Sequence, residues 1–211
     1  MLTRNFERQR AALVDELRRS GIVHEGVLAA IGRVDRHLFV EQGMQNRAYE
    51  NIALPIGHGQ TISQPLTVAW QTQLLNPKKG DRILEIGLGS GYQAAVLCEM
   101  GAQVFSIEYH EGLWKRATER LNSAGYRLMT RAGDGSLGWE SMAPFDGILV
   151  TAGATEPPKS LMEQLAFPAG RLIVPIGSTL KQDMMRCVRV SESEYQWEKT
   201  GAFRFVPFVN G

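Results

Sequence analysis

Residues 82–97 read RILEIGLGSGYQAAVL, a short apolar run that breaks into glycines at 87, 89 and 91 and then resumes with helical spacing. The pattern predicts a buried strand over 83–86, a tight turn, and a helix from Tyr92 to Glu99. A strand that enters a glycine turn and then a helix opens a crevice at the carboxyl end of its sheet, where such sheets bind cofactors. The spacing narrows the choice of cofactor. A dinucleotide fingerprint requires its third small residue at position 92, which is Tyr92. A phosphate-cradling P-loop ends in Gly-Lys-Ser/Thr, and this loop has no lysine. A nucleophile elbow around Ser90 needs glycine at position 88, where Leu88 stands.

Downstream, strand and helix patterns alternate: VFSIE (104–108), a helix from Glu111 to Ser123, RLMTR (127–131), FDGILVTAG (145–153), a helix near Lys159 to Leu165, and GRLIVPIG (170–177). This order predicts an α/β fold with a doubly wound, mainly parallel sheet. MMRCVRV and YQWEK flank Ser191-Glu192-Ser193-Glu194 and read as a hairpin, with FRFVPF as a closing strand, an antiparallel C-terminal addition. Upstream, Phe6, Leu13 and Leu17 mark one helix, Val27, Leu28, Ile31 and Val34 a second, and Thr67 to Leu75 a third ending at Asn76-Pro77. Residues 37–65 are polar, rich in Gly and Pro, and without a sustained period; irregular segments this long are more often functional than idle. One domain is expected, with N-terminal helices and an active-site loop over 1–75, a cofactor-binding core over 76–180, and the hairpin and closing strand over 181–211.

The composition excludes several classes. With 23 basic and 22 acidic side chains the formal charge is +1, which gives no electrostatic case for nucleic acid or an anionic membrane as the main partner. Cys98 and Cys187 lack metal-ligand spacing, so no metal is expected, and they point to a reducing compartment. The N-terminal MLTRNFERQRAALVDELRRSG has no continuous apolar stretch, and no run reaches membrane-spanning length, so a cytoplasmic location is expected. The sequence does not fix the oligomeric state; a monomer is the working expectation.

Three carboxylates fall where they can face the crevice. Glu85 lies at the end of the first strand, where it would repel a pyrophosphate but accept from a cationic or amino-bearing ligand. Glu108 ends the second strand, 21 residues after Gly87, where an acid can take both ribose hydroxyls. Asp134, flanked by Gly133 and Gly135, can accept from an adenine amino group. Three acids with no phosphate binder suit S-adenosylmethionine, which is cationic and carries no phosphate.

The series EIGLGSGY, SIE, GDG, PFDGILVTAGA, GRLIVPIG resembles that of the class I methyltransferases over residues 80–177. Adding YENIALPIGHGQTISQP (49–65) and RFVPF (204–208), the chain resembles the bacterial type of protein-L-isoaspartate O-methyltransferase over nearly its whole length, with TISQP the most specific part. The resemblance implies a Rossmann-like methyltransferase sheet that binds S-adenosylmethionine through Glu85, Gly87, Gly89, Gly91, Glu108, Asp134 and Gly135. It also implies isoaspartyl proteins and peptides as substrates. It makes Ser63 the active-site residue and Thr61, Ile62, Gln64 and Val206 its substrate-binding neighbours. The chain departs from the pattern in Leu88, where a small polar residue is more usual, and in Ala169-Gly170, where Gly-Gly is common. His58 is read as loop structure or at most a substrate contact, and His24, His37 and His110 receive no role. Tyr49, Trp70 and Met184-Met185 are read as packing.

Other readings predict different chemistry. A methyltransferase of small molecules would keep the glycine loop but have no use for TISQP and RFVPF. A non-catalytic cofactor-binding module would bind without turnover. A nicotinamide-dependent oxidoreductase is disfavoured by Tyr92 and by the acids of the crevice.

Overall fold

The computed structural model describes residues 2–178, 180–203 and 205–206, with side chains from Asn5 onward. Helices α1 (Leu2–Arg19) and α2 (Glu25–Arg33) lead into two short 3-10 turns, Arg36–Phe39 and Gln42–Arg47. A small hairpin, β1 (Leu54–Gly57) and β2 (Gln60–Ile62), precedes α3 (Pro65–Leu75). Then follow β3 (Arg82–Ile86), α4 (Tyr92–Glu99), β4 (Gln103–Glu108), α5 (Glu111–Ser123), β5 (Met129–Ala132), β6 (Gly147–Val150), α6 (Lys159–Glu163), β7 (Arg171–Ser178), β8 (Lys181–Arg189) and β9 (Tyr195–Phe203).

The main sheet has the order β5-β4-β3-β6-β7-β8-β9. Pairing is parallel from β5 to β7 and antiparallel for β7–β8 and β8–β9. The order reverses direction at β3, so the chain leaves β3 at the switch point where an α/β sheet opens its crevice. Alternation along β3 divides the core. Ile83 packs with α1 to α5 on one face, while Leu84 and Ile86 pack with Phe105, Phe145, Ile148 and Leu161 on the other. Apolar burial on both faces is what a central parallel strand requires.

The strand and helix order matches the sequence expectation, with two differences. Residues 37–65 contain the β1–β2 hairpin, where no regular structure is expected. Its strands are only four and three residues long, and its tip, Gly57-His58-Gly59, runs at positive φ throughout. The expected closing strand is absent where it can be described. Phe203 is the last residue of β9, and Phe205 and Val206 are irregular. Their backbone is satisfied elsewhere: Phe205 N donates to Gln182 Oε1 at 2.9 Å, and Val206 O accepts from Gly153 N at 2.9 Å. Arg204, Pro207 and Phe208 of RFVPF lie outside the described residues.

Candidate active site

The glycine turn after β3 is held to its neighbours by the backbone. Gly87 N donates to Ile107 O at 2.8 Å, and Gly91 N closes the turn onto Leu88 O at 2.8 Å. Gly87 has no room for a side chain: its φ is +97°, and a Cβ would stand 2.4 Å from Thr151 Oγ1. That threonine, just past β6, shares its one hydroxyl proton between Ile86 O and Gly87 O, 2.9 and 2.8 Å away, clamping the turn from the β6 side.

From the β4 side the clamp is Glu108. Its Oε2 accepts from Gly89 N at 2.8 Å and its Oε1 from His110 N at 2.9 Å. A carboxylate offers about four acceptor sites, so two fixed amides orient it and leave capacity for a diol.

Ser63 sits between two regular elements. Ile62 pairs with Leu54 in the hairpin, and Pro65 opens α3, where its missing N–H costs nothing. The start of α3 is tied back through Asn51, whose Oδ1 accepts from Leu66 N at 3.0 Å and whose Nδ2 donates to Glu16 Oε1 at 2.9 Å. The hairpin docks on α5, because Arg116 donates to Ile56 O at 2.8 Å and the His58 ring stacks on His110 with centroids 5.3 Å apart.

These elements enclose one pocket. Its walls include Gln60, Thr61 and Ile62 from the hairpin, Ser63 just after it, and Val68 from α3. They also include residues 86–90 with Tyr92 and Gln93, then Ile107 to His110, Gly135, Thr151, Ala152 and Val206. Among the described lining residues there is no lysine or arginine, and Glu108 is the one acid. That chemistry fits a cationic, phosphate-free adenosine cofactor. Tyr92 is seated from behind by Arg36, a fully buried guanidinium 4.6 Å from the ring centroid that donates to Ala48 O at 2.7 Å. Burial lowers the pKa of Arg36 to about 10.

Of the residues singled out from sequence, Ser63, Thr61, Ile62, Val206, Gly87, Gly89, Glu108 and Gly135 line this pocket. Four do not. Glu85 is fully buried on the α3–α4 face and accepts from Ser106 Oγ at 2.6 Å; burial pushes its pKa up to about 8. A side chain in mid-sheet packs under the crevice rather than facing it. Gly91 is where α4 meets α5: a Cβ would stand 2.9 Å from Leu121 Cδ1. Asp134 accepts from Ser136 N at 2.8 Å and caps the 3-10 turn Gly135–Leu137. Gln64 is the N-cap of α3, behind the serine.

The sequence reading missed Gln60, Val68, Ile86, Ser90, Tyr92, Gln93, Ile107, Tyr109, His110, Thr151 and Ala152 as pocket residues. Tyr109, Thr151 and Ala152 follow strand ends, so the strand-end rule applied to every parallel strand would have found them. Leu88 lines the pocket but is 2% exposed and belongs to the apolar core, so its departure from the pattern serves packing. Tyr49 packs with His37, bonded at 2.8 Å, and Trp70 lies against Phe203. Among the described residues no group of His, Cys, Asp and Glu could hold a metal ion, and no helix is long and apolar enough to cross a membrane.

A family model described as protein-L-isoaspartate(D-aspartate) O-methyltransferase matches residues 8–211. A protein-L-isoaspartate O-methyltransferase of Salinibacter ruber is 51% identical, covering 98% of this chain and 94% of that protein. A solved structure of the same description has a TM-score of 0.86 at 28% identity, covering 96% of this chain and 66% of that one. A Plasmodium falciparum structure of that description, in complex with S-adenosyl-L-homocysteine, shares the fold with a TM-score of 0.83. It is 24% identical, covering 95% of this chain and 98% of that one.

Proposed function

Because the chain belongs to the protein-L-isoaspartate(D-aspartate) O-methyltransferase family, we propose that it methylates the free α-carboxylate of L-isoaspartyl residues in damaged proteins and peptides, with Ser63 holding the acceptor. The observation that supports Ser63 is its place in one pocket with the glycine turn and Glu108. S-adenosylmethionine, when bound, supplies an electrophilic methyl group on a sulfonium.

The rest of the chemistry is orientation. An isoaspartyl α-carboxylate is ionised at pH 7, so its oxygen attacks without a general base. Ser63 Oγ–H can donate to that carboxylate without neutralising it, and so hold one oxygen in line with the methyl carbon. Glu108 would receive the ribose diol, and Gly87 and Gly89 would let the backbone approach the cofactor closely. Thr61, Ile62 and Val206 would bound the substrate groove. The following backbone amide nitrogen then attacks the ester carbonyl and expels methanol, and hydrolysis of the resulting succinimide returns a fraction of the residues to normal aspartate. Cys98 and Cys187 are both free, in keeping with a reducing cytoplasm. The test supplies methyl-labelled S-adenosylmethionine with paired isoaspartyl and aspartyl peptides. Base-labile label is expected in the isoaspartyl peptide alone, and label in neither or in both would overturn the reading.

A further inference from the structure

Gln93, in the first turn of α4, lines the pocket yet is 6% exposed. Its Nε2 donates to Thr72 Oγ1 at 3.0 Å, and that hydroxyl donates in turn to Val68 O at 2.7 Å. A hydroxyl has one proton, so Thr72 can only accept from Gln93, and this fixes which end of the amide is which. The carbonyl end is left over. Gln93 Oε1 is buried and has no hydrogen-bond partner among the described residues. A sealed acceptor without a donor is costly, and it marks a place where a donor is expected.

The sheet order says what that donor is. The carboxyl ends of β5, β4, β3 and β6 follow one another at spacings of about 4.8 Å. Gly135 follows β5, Glu108 ends β4, the glycine turn follows β3, and Thr151 follows β6. An extended cofactor with its ribose on Glu108 has two directions open. Toward β5 lie Tyr109 and Gly135, and the Ile86 side chain reaches under Gly135, where a Cβ would stand 2.4 Å from Ile86 Cγ2; with Ile107 they offer a slot for a base. The sulfonium must then lie on the other side, beside Ser63, because the methyl has to meet the acceptor there. The amino-acid tail that branches from the same sulfur falls over the glycine turn and the start of α4. Its ammonium is a donor with three protons.

We propose that Gln93 Oε1, held in orientation by Thr72, receives the α-ammonium of the methionine portion of S-adenosylmethionine. Gln93 is thereby a determinant of selectivity for cofactors that carry an amino acid. The inference rests on the proposed function above.

The test is calorimetric binding of two ligands that share the adenosine thioether: S-adenosylhomocysteine, and 5′-methylthioadenosine, which lacks the amino-acid tail. For Gln93→Leu, affinity for S-adenosylhomocysteine should fall about ten- to a hundred-fold, the worth of one charged hydrogen bond. Affinity for 5′-methylthioadenosine should stay within about two-fold. Thr72→Val, which removes the support without touching the acceptor, should show the same ligand-specific loss at smaller size. Equal losses for both ligands, or no loss with either variant, would overturn the role of Gln93. Failure of the wild-type chain to bind S-adenosylhomocysteine at all would overturn the proposed function and this inference together.

Discussion

The Gly89 amide and the Glu108 carboxylate are joined by a 2.8 Å hydrogen bond, so the cofactor turn and the end of the neighbouring strand form one piece. Glu108 therefore both shapes the turn and lines the pocket. Glu108→Ala should weaken S-adenosylhomocysteine binding by about a hundred-fold or more. It removes the ribose partners, each worth roughly 1.5–3 kcal/mol, and frees the turn. Isothermal titration checks this, and an unchanged dissociation constant would remove Glu108 from the ribose site.

Gly89 and Gly91 should respond differently to alanine. At Gly89, φ is +53° and a Cβ would lie 3.6 Å from Ile56 Cδ1, an ordinary contact. Gly89→Ala should cost the fold only about 1–2 kcal/mol of left-handed strain while impairing cofactor binding, because Gly89 lines the pocket. At Gly91 a Cβ meets Leu121 at 2.9 Å, so Gly91→Ala should lower stability more and displace α5 against α4. Chemical denaturation paired with titration separates the two. Equal stability losses would contradict the packing role of Gly91.

Glu85 makes stability depend on pH. Its folded pKa is raised to about 8, above the model-compound value of 4.5, because burial disfavours the charged form. The folded state therefore holds this proton more tightly than the unfolded state does. The contribution is fully present below about pH 4.5 and is lost as pH rises through about 8. Glu85→Gln keeps an acceptor for Ser106 and removes the titration. The stability of Glu85→Gln relative to wild type should rise between pH 5 and pH 9. Urea denaturation across that range measures the difference, and a flat difference would contradict the assignment.

How far these features can be read from residues alone depends on whether a local signal carries them. The helices Tyr92–Glu99 and Glu111–Ser123 begin and end where the residue pattern places them, because glycine turns and apolar spacing are local. The β1–β2 hairpin is hidden because its strands are too short for a period, and its stability comes from docking on α5 through Arg116 and His58. Glu85 shows the limit in the site. Sequence places it near the glycine turn, but strand alternation sends its side chain into the core face with Ile83 rather than into the crevice. Gln93 is unmarked for a related reason: its partner Thr72 belongs to another helix, 21 residues away.

Ser63 carries the central claim, and the measurement that tests it most directly is the turnover of Ser63→Ala with isoaspartyl peptide, taken beside its affinity for S-adenosylhomocysteine. Losing one positioning hydrogen bond should lower turnover about ten- to a hundred-fold, equivalent to roughly 1–3 kcal/mol. Cofactor affinity should stay within a few-fold of wild type, and aspartyl peptide should remain unmethylated by both forms. Unchanged turnover would make Ser63 only the link between hairpin and helix, and a large loss of cofactor affinity would move it into the cofactor subsite; either result contradicts the account.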